Sequence, residues 1–142
     1  MTATAAPAPS RLGWNIALWA AQALLAALYL MAAWMHGTMS PAELAAMGAS
    51  WALEAPLPLV RFIGLAELLG AIGLLLPAAT RIQPRLTVLA AAGLLAIQAL
   101  AIPLHLVRGE VAALPFNLVY VTLAAFIVWG RTRVAPIRPR RS

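Results

Sequence analysis

The chain has 142 residues, 63% of them apolar and 10% charged, with ten basic residues against four acidic ones and a net charge of +6. That balance excludes an ordinary soluble domain, which needs far more polar surface. The absence of cysteine excludes disulfides, thiolate metal sites and thiol redox chemistry.

Residues 1–10, MTATAAPAPS, are rich in Ala, Pro and Thr and read as a disordered N-terminal tail. Four apolar stretches follow, at about 14–36, 58–77, 85–106 and 114–130. They are bounded by breakers at Gly37, Pro77, Pro84, Gly109 and Pro115. Three approach the twenty residues that cross a hydrocarbon core, and the fourth is at the short end. Inside a bilayer the backbone must satisfy its own hydrogen bonds, which runs of Ala and Leu do as helices. The fold expected is all-α: an integral membrane four-helix bundle over residues 11–131, followed by a basic tail, 132–142, without fixed structure. The first stretch is longer than a signal-peptide core and no A-x-A site follows it, so it reads as a retained span.

All ten basic residues are arginines. Arg11, Arg81, Arg85, Arg131, Arg133, Arg138, Arg140 and Arg141 fall on one side of the spans, whereas Arg61 and Arg108 fall on the other with Glu43, Glu54 and Glu110. The positive-inside rule then places both termini in the cytoplasm, in a multi-pass protein of the bacterial inner membrane. Anionic lipid accounts for these charges better than nucleic acid, and no nucleic-acid partner is expected.

The long connection, residues 37–57, carries SPAELAAMG. Ser40 as cap, Pro41 in the first turn and Glu43 completing a capping box predict a short extracytoplasmic helix that Gly48 can end. It can lie on the membrane interface or form a lid over a pocket.

Polar residues within the spans follow a pattern. Asn15, Gln22, Tyr29 and His36 recur every seven residues, a step that drifts only about 20° around a straight helix, so they share one stripe. Gln98 and His105 share a face of the third span, with Pro103 between them, and Asn117 and Tyr120 are neighbours on the fourth. Glu67 sits near the middle of the second span, where a charge costs about 2.5–3.5 kcal/mol on insertion scales. Arg61 is about 120° away around the helix and is expected to reach outward to the interface. Gly64, Gly70 and Gly73 permit close helix approach, which is expected to bring Gln98, Asn117 or Tyr120 to the carboxyl group, with the stripe on the first span as a further source of partners. The ligand-pocket candidates are therefore Glu67, Gln98, His105, Asn117, Tyr120, Gln22, Tyr29 and His36, in a polar funnel that opens outward. The same groups can instead simply hydrogen-bond the helices together. His36 and His105, at matching depth, can in principle clamp a haem, although plain hydrogen bonding is the commoner use of such residues. No metal site is expected.

The segments FIGLAELLGAIGLLLP, RIQPRLTVLAAAGL, AIPLHLVRGE and LPFNLVYVTLAAFIVWGR resemble the DoxX-like family of small four-helix membrane proteins. The most specific part is G-x-x-E-x-x-G-x-x-G-L-x-x-P, carried by Gly64, Glu67, Gly70, Gly73, Leu74 and Pro77. Many members end the first helix with Gly and, three residues on, Lys; Ala33 and His36 stand there in this chain, so any role of that Lys would pass to His36. Some relatives are linked to quinone-coupled or thiosulfate redox systems. The resemblance thus implies an accessory redox subunit that binds a quinone or similar apolar molecule beside a membrane redox partner or a second copy. A proton-coupled transporter or exporter and a purely structural subunit of a membrane complex are the alternatives.

Overall fold

The computed structural model describes residues 11–140, so the expected tail at 1–10 lies outside the described residues. Five α-helices follow one another: α1 (Arg11–Thr38), α2 (Pro41–Ala46), α3 (Leu57–Thr80), α4 (Arg85–Val107) and α5 (Leu114–Trp129). Short 3-10 turns at Ser50–Leu53 and Val111–Ala113 link them. Four spans are long and apolar enough to cross a membrane: Arg11–Thr38, Leu57–Thr80, Arg85–Val107 and Val111–Val134. The protein is an all-α bundle in which α1 packs on α3, α3 on α4, α4 on α5, and α5 back on α1.

Its surface is that of a multi-pass membrane protein. Leu100 is 77% exposed, Phe116 70% and Phe62 65%, positions that water would penalise and lipid does not. The interior is formed by Leu18, Leu25, Tyr29, Leu74, Leu94 and Ile127, all fully or almost fully buried. Glycine sets the helix spacing at two places. A Cβ on Gly73 would lie 2.7 Å from the Cβ of Ala90 on α4. One on Gly64 would lie 3.0 Å from the Gly37 nitrogen and 3.2 Å from the Ala33 carbonyl oxygen on α1. Only hydrogen at these positions lets the helices meet so closely.

The helices run further than the breakers suggest. α3 continues through Pro77 for almost another turn and ends with Arg81 in the left-handed region, φ 60°. Proline removes a single intrahelical bond, here the one to the Gly73 carbonyl, a loss that packing among helices tolerates; the next carbonyl along, that of Leu74, accepts from Gln22 Nε2 at 2.6 Å. α4 likewise continues through Pro103. The tail departs from expectation at its start: Gly130–Val134 extend α5 as a π-helical turn. Beyond it the backbone nitrogen of Arg140 donates to the Arg81 carbonyl at 3.0 Å, and Arg81 Nε donates to the Arg138 carbonyl at 3.2 Å. These bonds strap the tail across the α3–α4 turn.

The connection between α1 and α3 folds back on the bundle. Ser40 and Glu43 form the capping box read from the sequence: Ser40 N donates to Glu43 Oε2 at 2.7 Å and Glu43 N to Ser40 Oγ at 3.3 Å. Gly48 follows with φ 99°. Leu44 and Ala52 are fully buried against Val60, with Met35, Met39 and Trp51 around them. A second small core thus anchors the connection over the end of the bundle opposite Arg11 and residues 130–140.

Candidate functional site

At that end, α1, α3, α4, α5 and the connection enclose a cavity of about 630 Å³. Most of its wall is apolar: Ile63, Ala66, Ile97, Ala101 and Leu104 are typical. Into it converge Tyr29, His36, Glu67, Gln98, His105, Asn117 and Tyr120. Gln22, the remaining pocket candidate, does not line it. Phe62 and Leu100 are wall residues that stay largely exposed, so the cavity also opens sideways between α3 and α4. Met47, Gly48, Ala49 and Trp51 form its wall where an outward mouth was expected.

Glu67 takes its partner from the polar stripe of α1, one of the groups the sequence offered it. Its Oε2 lies 2.7 Å from His36 Nδ1, and the carboxyl side chain is 6% exposed. The contact follows from side-chain direction. On a helix the Cα–Cβ bond tilts toward the N-terminus. α1 and α3 are antiparallel, so Glu67 leans up toward the α1 end while His36 leans down toward it. Gly64 brings the α1 backbone near enough for the two to meet. Trp51 from the connection stands beside the imidazole, ring centroids 5.6 Å apart. Arg61 does not extend away to the interface. Its Nη1 donates to the carbonyls of His36 at 2.6 Å and Met39 at 2.9 Å, capping the exposed acceptors at the end of α1.

Of the other partners expected for Glu67, Gln98 and Asn117 join Tyr29 in a chain of their own. Asn117 Nδ2 donates to Gln98 Oε1 at 2.6 Å, and Gln98 Nε2 to the Tyr29 hydroxyl at 2.9 Å. Tyr29 in turn donates to the Leu94 carbonyl at 3.2 Å. Tyr120 stacks edge-on against Tyr29, centroids 4.7 Å apart. One wall therefore carries a histidine–carboxylate pair and another a relay of neutral hydrogen-bonding groups.

At the rim, Arg108 clamps two connections. Its Nη1 donates to Glu54 Oε2 at 2.7 Å and its Nε to Glu110 Oε1 at 2.8 Å. Ser50 also donates to Glu110 Oε1, and His105 Nδ1 lies 2.7 Å from Glu110 Oε2. Burial raises the Glu110 carboxyl, but bonds from Ser50, Arg108 and His105 together with the Arg108 charge outweigh it and bring it down to about 2. Glu54 is lowered by its hydrogen bond from Arg108 and by that charge. This cluster ties the α1–α3 connection to the α4–α5 loop across the cavity rim. The sequence placed Glu54, Glu110 and Arg108 together on one side but gave no sign of the clamp.

The lower half of the α1 stripe serves another purpose. Arg131, 4% exposed, donates from Nε to Gln22 Oε1 and from Nη1 to Asn15 Oδ1, each at 2.6 Å. Its guanidinium also lies 5.7 Å from the centroid of Trp19. A sequence signal existed: Asn117, Tyr120, Ala124, Ile127 and Arg131 recur at steps of three and four, one face of a helix. Among the described residues, no group of three or more His, Cys, Asp or Glu side chains can hold a metal ion. The two histidines of the cavity each bond a carboxylate through Nδ1.

No curated protein and no solved structure gives a match to this chain. Residues 20–127 match the family described as the DoxX-like family, a span that covers α3 and α4 whole, most of α1 and α5, the His36–Glu67 pair and the whole glycine motif. The chain belongs to the DoxX-like family.

Proposed function

We propose that the protein is an accessory redox subunit of the bacterial inner membrane that binds a quinone, or an apolar molecule of similar form, in the cavity beside Glu67. Both termini would face the cytoplasm, as the arginine distribution favours. The observation that carries this reading is the histidine–carboxylate pair, 2.7 Å apart, in the wall of an otherwise apolar cavity. A volume near 630 Å³ suits a small organic ring system. The sideways opening at Phe62 and Leu100 offers an apolar ligand a path from the lipid.

The chemistry fits a quinone head group. Two-electron reduction of a quinone takes up two protons, and a His–carboxylate pair can pass a proton to a carbonyl oxygen that it also hydrogen-bonds. Electrons would come from a partner membrane protein, since this chain has no cysteine to supply a redox thiol. Gln98 and Asn117 would orient the opposite side of the ring. A transporter reading meets an obstacle: below the cavity the bundle is closed by Leu25, Leu74 and Leu94 and by the Gln22–Arg131 bond.

The test is purification in mild detergent followed by solvent extraction and quantification of quinone per protein. Enrichment over the co-purified lipid, reduced in Glu67→Gln and in Ala101→Phe, which would fill the cavity, is the expected result. Quinone at the level of the lipid background in the unmodified protein would refute the assignment.

A further inference from the structure

A second cavity, about 800 Å³, lies at the other end of the bundle. Its wall carries four arginines: Arg11 from the start of α1, Arg81 from the end of α3, and Arg133 and Arg138 from the strapped tail. Three separate parts of the chain thus bring like charges to one place. The guanidinium of Arg81 is engaged by the Arg138 carbonyl. Among the described residues, no side-chain carboxylate pairs with the four. Glu43, Glu54 and Glu110 lie in the connections at the opposite end, and Glu67 bonds His36.

A fifth charge stands immediately behind this wall. Arg131 donates to Asn15 and to the Ala135 carbonyl, both of which line the cavity. Its acceptors are all neutral, and its Nη2 is buried without a hydrogen-bond partner. Arginine forks match phosphate oxygens, and basic pockets between membrane helices suit anionic lipid head groups. Apolar Leu12, Ala78 and Val134 share the wall, as an acyl glycerol backbone would require.

We infer that this cavity is a binding site for a phosphate group of net negative charge, supplied by the head group of an anionic phospholipid in the adjacent leaflet. The ligand neutralises the arginines that the tail strap collects, and so holds residues 133–140 against the α3–α4 turn. The site is separate from the quinone cavity, and its test does not depend on that proposal.

The experiment is native mass spectrometry of the full chain, released from detergent containing equal amounts of phosphatidylglycerol and phosphatidylcholine. A parallel arm measures thermal unfolding in inorganic phosphate against chloride at matched ionic strength. The variants are Arg11→Gln with Arg133→Gln, both exposed and outside the packed core, and Arg140→Gln, which is not part of the wall. Retention of phosphatidylglycerol over phosphatidylcholine is expected, about five-fold weaker for each wall arginine removed and unchanged in Arg140→Gln. Stabilisation by inorganic phosphate, lost in the wall variants and without lipid preference, would support the same site with a free anion as its source. Equal retention of the two lipids with no effect of phosphate would overturn the inference. So would wall variants that behave like the unmodified protein or like Arg140→Gln.

Discussion

Gly64→Ala tests whether close approach of α1 and α3 builds the His36–Glu67 pair. The added Cβ would meet the Gly37 nitrogen at 3.0 Å, the His36 Cβ at 3.1 Å and the Ala33 carbonyl oxygen at 3.2 Å. Comfortable carbon contacts begin at roughly 3.5 Å, so α1 must retreat by about 0.5 Å. None of these neighbours is the far end of a flexible side chain. The α1 end is also held by Arg61, which bonds the carbonyls of His36 and Met39. Overpacking of this kind costs about 1–3 kcal/mol, or roughly 5- to 150-fold in the unfolding equilibrium. The same retreat lengthens the 2.7 Å His36–Glu67 contact toward the limit of a good hydrogen bond. Gly93→Ala is the internal control. That glycine also lies within a helix, α4, but its Cβ would meet nothing within 4 Å, so the substitution should be neutral or slightly stabilising. The assay is unfolding in mixed micelles of mild detergent and dodecyl sulfate, followed by circular dichroism, with quinone retention as a second readout. If Gly64→Ala unfolds at the same dodecyl sulfate fraction as Gly93→Ala, the helix contact does not set the site.

Replacement of His36 by Ala should lower stability by about 1–3 kcal/mol, the range for leaving a buried polar group without its partner, whereas His36→Lys should recover much of the loss by returning a hydrogen-bond donor to Glu67; micellar unfolding of both variants checks this. Arg108→Gln should release the rim clamp and speed hydrogen–deuterium exchange over residues 41–55, with α3 and α4 unchanged. Because Glu110 is held down to about 2 from an ordinary 4.5, its contribution to the clamp is present above the ordinary value and is lost as pH falls from about 4.5 toward 2. Exchange over 41–55, corrected for intrinsic rates, should therefore rise across that window in the unmodified protein and rise less in Arg108→Gln, where Ser50 and His105 still bond Glu110. Arg131→Ala strands the acceptors of Gln22 and Asn15 and should cost about 2–6 kcal/mol, at 1–3 kcal/mol for each. Adding Gln22→Leu should return part of that cost, and strict additivity in the double-mutant cycle would show that the two side chains do not interact.

The polar stripe on α1 shows where sequence reasoning stops. Heptad spacing alone placed Asn15, Gln22, Tyr29 and His36 on one face, and Gln22 and Tyr29 are indeed buried. Yet spacing along one helix says nothing about the height at which another helix meets it. Gln22 and Asn15 meet Arg131, a residue that charge counting assigned to orientation, and Gln22 is thereby kept out of the pocket. His36 meets Glu67, while Gln98 and Asn117 satisfy each other. Pro77 misled for a related reason, because a proline costs a helix one backbone bond and the rest of the ladder, packed among other helices, carries α3 on to Thr80.

Spans, helical class and polar faces are properties of single segments, governed by hydrocarbon thickness and the 3.6-residue turn, and the sequence by itself determined them. The motif around Glu67 likewise marked the family before any helix was placed. Partner choice belongs to pairs of segments. It depends on helix register and azimuth, which here follow from backbone approach at Gly64 and Gly73 and from the direction in which each side chain leans. The tertiary structure alone decided that Glu67 bonds His36, that Arg108 clamps the cavity rim, and that Arg11, Arg81, Arg133 and Arg138 surround a second cavity.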